Sequence, residues 1–142
     1  MHVDTILQTK GTLVYTLPET ASLAEAVAVL NTHNIGAIVI TADKDHIVGI
    51  LSERDIVRQL GKHPSSALGL SIGACMTRDV VTSDRMTPIS EVMERMTRRR
   101  IRHMPIAENG RLIGIISIGD VVKLKIEEVE REAEALRDYI AS

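Results

Sequence analysis

Phenylalanine and tryptophan do not occur in this sequence, and tyrosine occurs twice, at Tyr15 and Tyr139. Any core must therefore be assembled from Ile, Val, Leu, Met and Ala. A single-strand nucleic-acid binder of the RRM or OB type loses its main physical term, because those folds stack bases on aromatic rings. Cysteine is almost as scarce: Cys75 stands alone, which excludes an intramolecular disulfide and any multi-cysteine zinc site. His2, His33, His46 and His63 show no metal-ligand spacing. A basic excess is missing as well, since the net charge is −2, so no bulk field draws nucleic acid or an anionic membrane. No stretch approaches the ~18 apolar residues of a membrane span, and the opening MHVDTILQTKG lacks the apolar centre of a signal peptide. These absences point to a soluble protein of a reducing compartment, the cytoplasm. What remains is 142 residues, 44% apolar and 25% charged, enough for one ordinary domain or two small ones.

The chain is organised by an internal repeat. Gly49-Ile50-Leu51-Ser52-Glu53-Arg54-Asp55-Ile56-Val57 returns as Gly114-Ile115-Ile116-Ser117-Ile118-Gly119-Asp120-Val121-Val122, an offset of 65. Upstream the match runs on at an offset of 66, with Thr16 on Thr82, Leu23 on Ile89, Ala26 on Val92, Leu30 on Met96 and Ile35 on Ile101. Two copies of ~60 residues are too few and too long for a solenoid, so a duplicated unit with a pseudo-dyad is the better account. Each copy predicts a short strand (Val14–Thr16; Val80–Thr82), then a helix (Ser22–His33; Ile89–Arg99) with apolar residues at helical spacing. Ser22 with Glu25 forms a capping box, and Pro88 suits a first helical turn. Two strands follow in each copy, Ala37–Ile40 with Ile47–Leu51 and Met104–Ile106 with Leu112–Ile116, the second pair joined by the hairpin signal Asn109-Gly110. A further helix starts near Ser52 and again near Ser117. The predicted fold is α+β, a β-α-β-β-α unit twice over, followed by a C-terminal helix.

Outside the repeats, residues 62–74 lie in a stretch rich in Gly, Ser and Pro and read as a linker between a first unit (8–61) and a second (75–126). Residues 1–13 form either a short packed helix or a frayed tail. In the extension 127–142 and just before it, Val122, Ile126, Val129, Ala133, Leu136 and Ile140 make a heptad seam of under three heptads. So short a helix needs a partner, either its own core or a second copy in a homodimer.

The repeated turn carries the chemistry. Ser52 and Ser117 each end a strand and begin a helix, beside unpaired helix N-terminal amides that favour an anion. Their hydroxyls can donate to a phosphate oxygen, and Asp55 or Asp120, three residues on, can accept from the cis-diol of a ribose. Phosphate, ribose and an apolar slot describe a nucleoside phosphate. The same Ser-x-x-Asp pattern is also a capping-box variant needed only for helix stability, and spacing alone does not separate the two.

The duplicated Gly-Ile-Leu-Ser-x-x-Asp and Gly-Ile-Ile-Ser-x-x-Asp motifs, with Arg102-His103-Met104-Pro105-Ile106 before the second hairpin, resemble tandem CBS domains, the pair known as a Bateman module. The resemblance spans residues ~10–125, leaves no segment for a catalytic or transport domain, and implies a stand-alone pair of bacterial type. It implies clefts shared between the repeats. One would join Ser117 and Asp120 to Arg102, His103, Thr12, Ile35 and Gly36; the other would join Ser52 and Asp55 to Ala37, Arg78 and Ile101. It also implies a homodimer and a regulatory role: an adenine nucleotide, AMP first and NAD(H), ADP or ATP after it, would be sensed and the state passed to an unidentified target protein. The copies differ where Arg102-His103 replace Gly36-Ala37 and Gly119 replaces Arg54. The expectation is therefore a monophosphate at the Asp120 cleft and a larger dinucleotide at the small-walled Asp55 cleft.

Arg95, Arg98, Arg99, Arg100 and Arg102 form the densest charge cluster, read either as a solvated helix end or as a source of one or two phosphate ligands. Cys75 reads as packing rather than as a nucleophile. No G-x-S-x-G elbow or His/Asp constellation surrounds Ser52 or Ser117, so no enzyme activity is expected. Two other classes stay open: a ligand-free dimeric scaffold, and a nucleic-acid-binding regulator using the arginine cluster.

Overall fold

The computed structural model describes residues Met1–Ser142. Its elements run α1 (Val3–Lys10), β1 (Thr16–Leu17), α2 (Leu23–His33), β2 (Ala37–Ala42), β3 (His46–Ser52), α3 (Glu53–Lys62), a 3-10 turn (Ala67–Gly69), α4 (Ile72–Cys75), α5 (Ile89–Arg99), β4 (His103–Glu108), β5 (Arg111–Ser117) and α6 (Ile118–Ala141). The architecture is the expected α+β duplication with a C-terminal helix. Local signals explain most boundaries. The Ser22–Glu25 capping box starts α2, and Pro88 stands at the N-cap of α5. Both hairpins turn on two residues with positive φ, Asp43-Lys44 and Asn109-Gly110, which fit the right-handed twist of the strands they join.

The strands form one sheet in the order β1-β2-β3-β5-β4, but its halves meet through a single residue pair, His46 with Arg111. At the far strand ends the halves are free of each other. That is where Ala37, Ser52, His103 and Ser117 lie.

Each half has its own core, and each is completed by a segment that sequence order assigns elsewhere. Val3, Ile6 and Leu7 of α1 pack with Ile89, Val92, Met96, Met104, Ile106, Ile116 and Val121 of the second unit. The start of α1 is strapped there by Val3 N–H to Thr87 carbonyl (3.0 Å), Asp4 N–H to Arg85 carbonyl (2.9 Å) and an Arg85–Asp4 ion pair (2.9 Å). The first core, built on Leu23, Ala26, Leu30, Ile38, Ile40 and Leu51, takes in Ile72 and Met76. Residues 62–74 are therefore no free tether. Ala67 and Ile72 are buried, and Leu23 N–H to Leu70 carbonyl (2.9 Å), Ile72 N–H to Ala21 carbonyl (2.8 Å) and Gly73 N–H to Glu19 carbonyl (2.9 Å) bind the stretch to the first unit. The apolar residues scattered among its Gly and Ser are what fold it.

Three other expectations change. The strand expected at Val80–Thr82 does not form; a single parallel bridge joins Ser83 to Ile106. Side chains take over its backbone groups: Arg95 donates to the Thr82 carbonyl (3.0 Å), and Asp84 and Thr87 bind the turn that follows. The strand expected at Val14–Thr16 forms later, at Thr16–Leu17, paired in parallel with Val39–Ile40. Finally, α6 is one continuous helix and does not fold back. Val121 and Leu124 are buried, while Val122, Ile126, Val129, Leu136 and Ile140 are exposed.

Candidate ligand-binding site

The two Ser-x-x-Asp turns fold as capping boxes. Ser52 N–H donates to Asp55 Oδ2 (2.9 Å) and Asp55 N–H donates to Ser52 Oγ (3.3 Å); Ser117 N–H donates to Asp120 Oδ2 (2.8 Å) and Asp120 N–H to Ser117 Oγ (3.2 Å). Each box occupies one carboxylate oxygen. Capping and ligand binding are therefore compatible, since Oδ1 remains as an acceptor. Around Asp55, Oδ1 meets only Thr77 Oγ1 at 3.5 Å and Arg58 Nη1 at 3.9 Å. The Ser52 hydroxyl also donates to Asp55 Oδ2 (3.1 Å).

Asp55 opens into a cleft of about 740 Å³ at the free ends of the half-sheets, a volume within the ~300–1,000 Å³ of small-molecule sites. Both repeats line it. The first supplies Gly36, Ala37, Ser52, Glu53, Arg54, Asp55 and Arg58; the second supplies Thr77, Asp79, Arg99, Arg100, Ile101, Arg102 and His103. Gly36 gives close approach: a Cβ there would lie 2.9 Å from Glu53 Oε1 and 3.0 Å from His103 Cε1, so the Glu53 side chain would have to swing aside and the His103 ring to give slightly. Five guanidinium groups face three carboxylates. Arg58 and Arg99 pair with Asp55 and Asp79, but Arg54, Arg100 and Arg102 have no carboxylate partner. Arg100 also sits in the left-handed region (φ 53°), capping α5 where Asn34 caps α2 (φ 52°). Asparagine tolerates that conformation and arginine does not favour it.

Asp120 lies instead in a pocket of about 270 Å³ with Thr5, Thr9, Lys10, Lys123 and Glu127. Lys10 Nζ donates to its Oδ2 (2.7 Å) and to the Ile115 carbonyl (3.0 Å). Burial by itself raises the Asp120 pKa, but the hydrogen bonds from Lys10 and Ser117 and the Lys10 charge outweigh it and hold the carboxyl below its ordinary range. His103 lies between the two sites. Burial, reinforced by the charges of Lys10 and Arg102 and opposed by Glu53 and Asp120, lowers its pKa, so its ring is neutral near pH 7.

The structure thus redistributes the expected site residues. Gly36, Ala37, Ser52, Arg54, Asp55, Ile101, Arg102 and His103 share the large cleft. Gly36, Arg102 and His103, assigned by resemblance to the Asp120 cleft, thus line the Asp55 side. Arg78 binds the Gly73 carbonyl (3.0 Å) and Glu19 (3.6 Å) instead of the cleft, Ile35 packs on the first core, and Thr12 is exposed. The arginine cluster divides: Arg95 and Arg98 pair along α5 with Glu91 and Glu94, while Arg99, Arg100 and Arg102 face the cleft. Cys75 is half-buried, its thiol pKa raised by burial and by Asp55. Sequence reasoning missed Thr77, which stands beside the expected Arg78, and Lys10, which carried no signal for a partner 110 residues away.

The sequence profile of the CBS domain matches residues 13–62 and again 72–127. The chain belongs to the CBS-domain family. Solved CBS-domain structures superpose closely. A CBS-domain containing protein from Agrobacterium tumefaciens is 41% identical with a TM-score of 0.85, covering 88% of this chain and 99% of that one. The CBS domain pair of protein MJ0100, in complex with 5'-methylthioadenosine and S-adenosyl-L-methionine, is 26% identical with a TM-score of 0.80, covering 90% and 98%. A CBS domain protein from Pyrobaculum aerophilum complexed with AMP is 28% identical with a TM-score of 0.76, covering 84% and 89%. The mitochondrial CBS domain-containing protein CBSX3 of Arabidopsis thaliana is 33% identical; the match takes in 82% of this chain and 58% of that longer one. No helix of the CBS pair is long and apolar enough to cross a membrane.

Proposed function

We propose that this CBS pair is a regulatory module that binds an adenosine-containing anion in the Asp55 cleft and passes its occupancy to a partner protein. The observation that carries the reading is the composition of that cleft, which both repeats line. A carboxylate oxygen is left to accept from ribose hydroxyls, and three arginines without carboxylate partners surround the space beyond it. The MJ0100 pair and the Pyrobaculum protein, which hold adenosine compounds, support the adenosine part. The charge argues for more than one phosphate, hence ADP, ATP or NAD(H) ahead of AMP, and against the sulfonium of S-adenosylmethionine. The Asp120 pocket is smaller and its carboxylate already holds Lys10, so it ranks second. A ligand spanning the cleft contacts both repeats, and it regulates by favouring one relative arrangement of them.

Calorimetric titration with AMP, ATP, NADH and S-adenosylmethionine tests this. ATP or NADH should bind more tightly than AMP. Asp55→Asn, which keeps the side-chain shape but removes the charged acceptor, should weaken all adenosine ligands about tenfold or more, the size of a lost charged hydrogen bond. Tighter binding of S-adenosylmethionine, or affinities unchanged in Asp55→Asn, would contradict the assignment.

A further inference from the structure

We infer that the exposed half of α6 is one strand of a parallel, in-register, two-stranded coiled coil formed with a second copy of this chain. The helix runs unbroken from Ile118 to Ala141, but only Val121 and Leu124 of it are buried in the parent fold. On the opposite face, Val122, Ile126, Val129, Leu136 and Ile140 are between 45% and 75% exposed. With Ala133 they repeat at spacings of 4, 3, 4, 3 and 4, placing Ile126, Ala133 and Ile140 at the a positions and Val122, Val129 and Leu136 at the d positions. Ile126 and Ile140 at a with Leu136 at d match the two-stranded pattern, while Ala133 at a and Val122 and Val129 at d do not add to it.

The flanking charges name the occupant and its direction. Lys125 and Glu132 fall at g positions, Glu130 and Arg137 at e positions. In a parallel, in-register pair, each g residue meets the e residue five positions further along the other helix. Lys125 of one copy then meets Glu130 of the second, and Glu132 meets Arg137, each contact occurring twice by symmetry. Both are attractive. The antiparallel alignment that would also bury the whole seam, centred on residue 131, sets Glu130 against Glu130, Glu132 against Glu132 and Lys123 against Arg137. All three are repulsive. A second copy satisfies the seam's charges in one direction only. The seam spans under three heptads, so the pair is held weakly enough for its charges to decide the orientation.

Sedimentation equilibrium and disulfide trapping of the full chain in a Cys75→Ala background test the inference. Leu136→Cys should give a covalent dimer on mild oxidation, because parallel register places the two d positions side by side. In the antiparallel alignment Leu136 faces Ile126, and only the double variant Ile126→Cys/Leu136→Cys would be trapped. Lys125→Glu should raise the dimer dissociation constant about tenfold, since two symmetry-related attractions become repulsions. The swap Lys125→Glu/Glu130→Lys should restore it, with helix content by circular dichroism unchanged throughout. A chain monomeric at micromolar concentration, trapping of the double cysteine variant alone, or a swap that fails to restore dimerisation would overturn the inference.

Discussion

At the scale of single residues, Arg100 shows a conflict between stability and charge. It occupies the left-handed cap of α5, a conformation that costs an ordinary side chain about 1 kcal/mol and that Asn34 adopts in the first repeat. The exposed guanidinium has no ion-pair partner and lines the cleft, so nothing in the fold repays the strain. Arg100→Asn should therefore raise unfolding stability by about 0.5–1 kcal/mol. The same change should weaken ATP about tenfold while leaving AMP nearly unaffected, if the distal phosphates lie at this end. Urea denaturation and calorimetry on the one variant measure both. A loss of stability would mean that Arg100 serves the fold.

Among the elements, what could be read from the sequence was what depends on near neighbours. The Ser22–Glu25 box, Pro88 at a helix start and the Asn109-Gly110 turn are local chemistry, and their elements form where that chemistry places them. The α6 seam was visible as a period, but its exposure was not, since periodicity does not say what a face packs on. The exchange of α1 and α4 between the cores escaped because it depends on which half-sheet lies nearer in space. The missing strand at Val80–Thr82 failed for a related reason: Arg95, more than ten residues away, binds the carbonyl that a neighbouring strand would have used. The same limit applied to the site. Spacing identified Ser52, Asp55, Ser117 and Asp120 as turn residues but could not say on which side of the pseudo-dyad Arg102 and His103 would fall. The packing of α4 gives a direct check. Ile72 is fully buried in the first core, whereas Leu68, four residues earlier in the same stretch, is 46% exposed. Ile72→Ala should cost about 2–5 kcal/mol and Leu68→Ala about 0.5 kcal/mol or less, read from urea midpoints at constant slope. Equal effects would return residues 62–74 to the status of a tether.

For the whole molecule, the Lys10–Asp120 contact links the N-terminal helix to the start of α6 across 110 residues, and it makes acid stability a property of the assembled fold. The Asp120 carboxyl is held below its ordinary value near 3.9, so the unfolded chain binds more protons there than the native one. Stability from this contact is complete above the ordinary carboxylate range and is lost as pH falls through the lowered native value. His103 acts in the same direction in a higher window. Its native pKa lies below the ordinary 6.5, so acidification from about pH 6.5 downward favours the unfolded chain, which protonates first. Lys10 depresses both groups, Asp120 by hydrogen bond and charge and His103 by charge. Lys10→Met should therefore lower stability at pH 7 and flatten its decline on acidification in both windows. Because α1 completes the second core, that destabilisation should appear in one cooperative transition at neutral pH and not as fraying of the N-terminus. Chemical denaturation from pH 7 to pH 3, followed by circular dichroism, distinguishes the outcomes. A Lys10→Met chain with the parent's pH slope would show that the contact is a surface pair carrying no linkage between the two ends of the fold.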